Sequence, residues 1–236
     1  MIQYRIPPRL FELYPGYVRG LVICQDVINS ASPPNLTAML RQAEEALRAA
    51  LMVEDLPAHP VIAAWREAYR RFGAKPSEFR SSLEAMARRV LRGQELPSIN
   101  TLVDIGNFLS ISRMLPVGGH AIDHLTADLE LRPADGSETF IPFGGTDVEH
   151  PEPGEIIFVE GQQVLTRRWT WRQANHTLTL PETTAIAFNL DGLPPVGLEQ
   201  VRQAADETAE LVKRFCGGSC RFEVLSEENP QVTLIP

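Results

Sequence analysis

The side chains in this 236-residue chain with the most chemistry to offer are five histidines, three cysteines, three tryptophans and a run of arginines. His59, His120, His124, His150 and His176 are scattered, and only His120 and His124 share the four-residue spacing of a helical ligand pair. Two ligands alone do not make a metal site, so no metal is expected. Cys216 and Cys220 enclose three residues rather than the two of a Cys-x-x-Cys motif, and no second pair lies near them. An odd cysteine count, with no export signal in MIQYRIPPRLFELYPG, points to free thiols in a reducing, cytoplasmic setting, with two of them flanking a Gly-Gly turn. Gly-x-Gly-x-x-Gly, Walker, His-Glu-x-x-His and Gly-x-Ser-x-Gly signatures are all missing, which removes the nucleotide cradles and hydrolase elbows those motifs build. No cofactor is implied.

Charge is unevenly spread. The chain carries a net −8, yet Arg66, Arg70, Arg71, Lys75, Arg80, Arg88, Arg89 and Arg92 face only Glu67, Glu78 and Glu84 in the same segment. That segment is locally +5 and the remainder −13. A basic patch of this kind can hold phosphates on an otherwise repelling surface, with Arg70, Arg71, Arg88 and Arg89 as candidate RNA contacts; the competing reading is the solvated face of two helices. In RRWTWRQ, strand alternation places Trp169 and Trp171 on one face and Arg172 on the other. Trp171 could stack a base and Arg167, Arg168 or Arg172 meet a phosphate, or the tryptophans could be core.

The elements that must position these residues divide into two kinds. Val18–Val27 reads as a buried strand, and Pro33-Pro34-Asn35 opens a helix with Asn35 as its cap. Apolar stripes at three- and four-residue spacing mark helices from Leu36, from Val61 to Phe72 and over Ser82–Arg92, and a fourth helix is expected from Asn100 to about Ile111. From Ala127 the period becomes two. Strands are expected around Leu129–Leu131, Phe140–Phe143, Ile156–Val159, Val164–Trp171, Thr177–Leu180 and Ala185–Leu190, with turns between them. A helix over residues 198–215, a strand in CRFEVLS and a polar tail complete the chain. Helices followed by a run of strands indicate an α+β class. With 44% hydrophobic residues and no linker or repeat, one domain over 1–236 is the simplest division, and no apolar run reaches the ~20 residues of a membrane span.

The stretch LPSINTLVDIGNFLSISRMLPVGGHAIDHL resembles the tRNA-editing (B3/B4) domain of the bacterial phenylalanyl-tRNA synthetase beta subunit. Asn100, Val103, Asp104 and Asn107 match its N-x-V-D-x-x-N helix; His120, Ala121 and Asp123 match the H-A-x-D that follows a short loop. The likeness continues through LELRPADGSETFIPFGG, PGEIIFVEGQQVLTRRW and ETTAIAFNL, covering roughly residues 60–195. The phrases around WREAYRRFGAKPSEFRSS and WTWRQ look more like free-standing proteins built on this domain.

The resemblance implies a three-layer β/β/α sandwich and a tRNA partner, with no role for DNA or a membrane. It also implies hydrolysis of the ester of a mischarged tRNA, acting in trans. Carried over residue by residue, it puts His120 at an editing pocket, to orient water, bond the terminal adenosine or act as base. Gly118 and Gly119 would allow close approach and offer N–H groups to an oxyanion. Asn107 would stand at the pocket wall, or make only a helix-end hydrogen bond. Asn189 occupies the position of a glutamate that reads the tyrosine hydroxyl in the synthetase; an asparagine is neutral and a weaker acceptor, which opens the amino-acid specificity. Asp191 follows on the same strand face. A tRNA-binding module without chemistry, and an amino-acid-binding protein without tRNA, are the competing functions. Oligomeric state is not set by the sequence.

Overall fold

A computed structural model describes residues 1–235. Six helices and ten strands follow in the order β1 (Ile2–Arg5), α1 (Pro8–Leu13), β2 (Val18–Gln25), α2 (Pro34–Ala50), α3 (Pro60–Arg71), α4 (Ser82–Leu91), α5 (Thr101–Arg113), β3 (Val117–Ala121), β4 (Leu129–Pro133), β5 (Ile156–Glu160), β6 (Gln163–Arg167), β7 (Arg172–Gln173), β8 (Ile186–Gly192), α6 (Leu198–Cys216), β9 (Ser219–Leu225) and β10 (Gln231–Ile235). They make a six-stranded sheet, β10-β1-β4-β5-β6-β7, and a four-stranded sheet, β3-β8-β2-β9. All pairs are antiparallel except β1 with β4.

The two faces of the four-stranded sheet are chemically distinct. On one, Gly20 and Gly192 leave room for Val201 of α6, whose methyls would lie within 2.6 and 2.7 Å of an added Cβ. On the other, Arg19, Asn189, Asp191 and His120 face the six-stranded sheet, where Tyr4 and Phe158 stack at 5.1 Å. Helices, inner sheet and outer sheet therefore form an α/β/β stack of the α+β class. The outer face of the six-stranded sheet has its own small core of Ala134, Phe140, Ile157, Val159, Val164 and Ala174. This is why β5 is buried on both faces and reads as a continuous apolar run. No helix among the described residues is long and apolar enough to cross a membrane.

Several expectations need correction. Asn35 is not a cap: Pro34 occupies the first turn, where a missing N–H costs nothing, and the Asn35 amide oxygen accepts from Leu36 N–H, the next residue, at 3.0 Å. Gly118–His120 belong to a strand rather than a loop. Thr177–Leu180 is irregular, and Phe140–Phe143 makes only isolated bridges. Trp169 and Trp171 do not share a strand face. The chain turns after Arg167, with Arg168 and Trp169 both left-handed (φ 45° and 63°), and resumes at Arg172. The tail pairs with β1 as β10.

The cysteines also differ from the reading as free thiols. Cys24 and Cys220 stand opposite each other on β2 and β9 and form a disulfide, leaving Cys216 buried and free. Cross-strand register brings together residues 196 apart in sequence, which spacing along the chain cannot show. Thiol titration of the denatured chain is expected to find one reactive group without reductant and three with it.

Candidate functional site

The inner sheet ends at β3, and the space beside that edge is a cavity of about 770 Å³. Its walls come from α5 (Val103, Gly106, Asn107), β3, the turn carrying Thr170–Gln173 and the segment Leu178–Pro181; its floor comes from Arg19, Phe158, Asn189 and Asp191. Ile99, Phe143 and Leu180, among the most exposed large apolar residues, stand at its mouth.

Helix α5 is placed by its own polar residues. Asn100 caps it, accepting from Val103 N–H at 3.0 Å, and donates to the Thr179 carbonyl at 2.9 Å. Buried Asp104 gathers Ile99 N–H at 3.0 Å and the hydroxyls of Ser32 (2.6 Å) and Ser98. These two motif residues tie cavity walls together, and of the two only Asn100 lines the cavity. Asp123 does similar work, accepting from the Thr184 and Ala185 amides at 2.9 and 3.0 Å. Asn107 lies mid-helix, half-buried at the cavity wall, and not at a helix end.

His120 is buried (6% exposed) yet lines the cavity. Thr177 Oγ1 holds its Nδ1 at 2.7 Å, Thr166 Oγ1 meets its Nε2 at 3.3 Å, and the ring stands edge-on to Phe158. Burial, and secondarily the Arg19 charge, push its pKa down to about 3. The imidazole is therefore neutral at physiological pH and a poor proton acceptor, with both nitrogens occupied. Its geometry suits a fixed hydrogen-bonding wall better than a general base.

That shift has a sign. The folded-state pKa lies below the unfolded value of 6.5, so the contribution is complete above pH 6.5 and is lost as pH falls from there toward 3. Unfolding free energies at pH 7 and pH 5 should show wild type losing about 2 kcal/mol more than His120→Phe over that interval.

The glycines before His120 differ from each other. Asp191 N–H donates to Pro116 O at 3.0 Å and Ile122 N–H to Ala185 O at 2.9 Å. An antiparallel ladder alternates, so Gly118 and His120 direct their backbone groups at β8, and those of Gly119 point off the open edge. Gly119 C=O accepts from Gln173 Nε2 at 3.2 Å; its N–H has no backbone partner among the described residues outside that ladder. Of the two candidate oxyanion donors, only Gly119 has its N–H directed away from the ladder with β8. Gly118 is exposed, and an added Cβ there would meet nothing within 4 Å.

Trp169 is core, packed edge-on against Tyr14, Tyr17 and Trp65. Trp171 is half-buried at the cavity wall, edge-on to Phe79, and Arg172 beside it pairs with Glu149 at 3.3 Å. Beneath them lies a group the sequence reading missed. Arg19, 2% exposed, donates through Nε to Asp191 Oδ1 at 2.7 Å and through Nη1 to the Tyr4 hydroxyl; Tyr17 also donates to Asp191. Burial opposes the Arg19 charge, and Asp191 more than restores it, holding the guanidinium's pKa well above its usual value. The available signal was one arginine inside the apolar strand VRGLVICQ.

The model of the B3/4 domain matches residues 64–217, most of the chain. The chain belongs to the B3/4 domain family. Among solved structures, an N-terminal fragment of the phenylalanyl-tRNA synthetase beta-subunit from Pyrococcus horikoshii is similar to it, with a TM-score of 0.48 and 11% identity over 93% of this chain and 50% of that one. The chain thus spans half the length of that fragment. No curated protein matches it.

In this B3/4 domain six of the eight cations in the basic segment are paired with its three carboxylates, and the segment keeps its net +5. Buried Glu84 pairs with Arg66 (2.6 Å), Arg88 (3.4 Å) and Arg80 (3.9 Å). Arg70 and Arg71 flank Glu67, and Lys75 meets Glu78. Arg89 donates to the Glu95 carbonyl at 2.8 Å, and neither it nor Arg92 has a carboxylate partner among the described residues. Arg88 thus holds the fold together, and Arg89 with Arg92 are the cations free to meet a phosphate. No cluster of three or more His, Cys, Asp or Glu side chains among the described residues is arranged to hold a metal.

Proposed function

We propose that this B3/4 domain is a trans-acting aminoacyl-tRNA deacylase: it takes the 3′ end of a mischarged tRNA into the β3-edge cavity and hydrolyses the ester. The observation that carries this reading is the roughly 770 Å³ cavity beside a locked, neutral His120, with the Gly119 amide turned outward at its wall. An aminoacyl ester is already activated, so a site that orients water and stabilises the carbonyl oxygen suffices without a strong base. Gly119 N–H is the oxyanion donor, Asn107 orients water or the terminal ribose, His120 fixes the cavity wall through its bonds to Thr177 and Thr166, and Asn189 meets the amino-acid side chain. Trp171 and the apolar mouth of Ile99, Phe143 and Leu180 give a nucleobase a surface to stack on, with Arg172 at the rim.

A panel of mischarged tRNAs tests this. At least one is expected to lose its amino acid about 100-fold faster than spontaneously, with His120→Ala lowering kcat/KM by about tenfold or more. Release at the spontaneous rate for every member contradicts it.

The self-paired basic segment favours one second reading, an amino-acid-binding protein that has lost tRNA. A thermal-shift screen with free amino acids separates the two, because a ligand that binds only the folded state raises the midpoint. A tRNA-binding module without chemistry would show salt-sensitive RNA binding weakened by Arg89→Ala with Arg92→Ala and untouched by His120→Ala.

A further inference from the structure

We infer that Tyr4, backed by Arg19, fixes the hydrogen-bond polarity of the cavity floor: it turns the Asn189 amide so that its NH2 faces the cavity. At the Asn189 position the floor then favours a ligand side chain that ends in a hydrogen-bond acceptor. The inference rests on the proposal that the cavity takes an aminoacyl group, and it names what that group carries.

The orientation follows from the chemistry of the donors. A guanidinium can only donate. Arg19 Nη1 bonds the Tyr4 hydroxyl, so the Tyr4 oxygen accepts there. Tyr4 is fully buried and has one further partner, the Asn189 side chain, at 3.1 Å. Its single proton must go to that partner, and only the amide oxygen can receive it. Rotating the amide by a half-turn would set its NH2 against the Tyr4 proton. Burial keeps that proton in place by raising the Tyr4 pKa far above the ordinary tyrosine value.

The freed NH2 is left on the cavity side. Asn189 Nδ2 has no partner among the described residues, and it is not one of the buried polar atoms sealed away without one. Asn189 lines the cavity, and its cross-strand neighbour on β3 is Gly118, which has no side chain to cover it. On its other side β8 is pinned to β2 through Leu21. Asp191, the next residue on that face, is engaged by Arg19 and Tyr17 through Oδ1. Tyr4 is thus a positioning residue, and Asn189 is the group that touches the ligand.

The test uses 3′-aminoacylamino-3′-deoxyadenosines, in which an amide replaces the hydrolysable ester, bound to the whole chain and measured by calorimetry. Three side chains are compared: 4-cyanophenylalanine (acceptor), 4-ethynylphenylalanine (the same shape without the nitrogen lone pair) and 4-aminophenylalanine (donor). Wild type is expected to bind the nitrile about tenfold tighter than the alkyne. Tyr4→Phe releases the amide to face either way, so the amino-to-nitrile affinity ratio should rise by about fivefold. Any contribution of Asp191 to that ratio is common to both proteins and cancels.

In an Asn189→Leu background, Tyr4→Phe should leave the ratio unchanged, which separates positioning from a general structural effect. Asn189→Asp keeps the Tyr4 bond and presents an acceptor to the cavity. It should invert the preference even if Tyr4→Phe does not fold. Equal binding of nitrile and alkyne by wild type, or a ratio indifferent to Tyr4→Phe in folded protein, overturns the inference alone. Failure of all three analogues to bind also overturns the inference, whereas the proposed function falls only if every mischarged tRNA of the panel is released at the spontaneous rate.

Discussion

Asp191→Ala is expected to destabilise the protein by about 3–5 kcal/mol, lowering its thermal midpoint by about 10 °C. The cost comes less from the lost attraction than from what remains. Arg19 is 2% exposed and would be left charged between two sheets, its Nε and Nη2 without the carboxylate they reach at 2.7 Å. Tyr17 would lose the acceptor of its hydroxyl proton as well. Replacing both charges, as Arg19→Met with Asp191→Leu, should recover most of the loss, because a well-packed apolar pair avoids the desolvation cost that the ion pair carries. Differential scanning calorimetry of the single and double variants checks this. A single variant within about 1 kcal/mol of wild type would mean that water reaches the guanidinium and that the floor of the cavity is not closed.

Gly118→Trp is expected to abolish deacylation, by about 100-fold or more in kcat/KM, while leaving stability nearly unchanged. Gly118 is exposed, has no positive φ, and an added Cβ would touch nothing within 4 Å. An indole there costs the fold little and fills the space over Asn189, its cross-strand neighbour. The same change one residue on behaves differently. At Gly119 a Cβ would sit 2.9 Å from Ile186 Cδ1, on the helix side of the sheet, so Gly119→Ala disturbs packing before it blocks the cavity. Paired unfolding and activity measurements distinguish the two positions. Full activity in Gly118→Trp would remove the β3 edge from the account.

The residues that make this site were legible in the sequence to very different degrees. Helices α2, α3, α4 and α6 announced themselves through apolar stripes that one buried face requires, and β2 through its apolar run. The N-x-V-D-x-x-N and H-A-x-D phrases supply residues of the cavity: Asn100, Asp104 and Asp123 hold its walls, and Asn100, Asn107 and His120 line it. Local pattern failed where long-range partners decide. Arg19 and Asp191 are 172 positions apart and meet only through the register of β2 and β8. The Cys24–Cys220 bond depends in the same way on the register of β2 and β9. Trp169 and Trp171 looked like one strand face because alternation carries no sign of a chain reversal. That reversal is held from outside, by Glu155 accepting from the Arg168 N–H at 3.0 Å and from the Arg167 guanidinium at 2.8 and 2.9 Å. Likewise β10 reads as a polar tail because only alternate residues of QVTLI are buried against the core.

Whether the β3-edge cavity receives the 3′ tip of a tRNA is tested most directly by removing one nucleotide. Dissociation constants are measured for an uncharged tRNA with and without its terminal adenosine, at fixed salt, on wild type and Gly118→Trp. The account predicts that wild type binds the shortened tRNA at least about tenfold more weakly, as expected for losing one stacked base and its contacts, and that Gly118→Trp binds both alike. Equal affinity of wild type for the two tRNAs would contradict it.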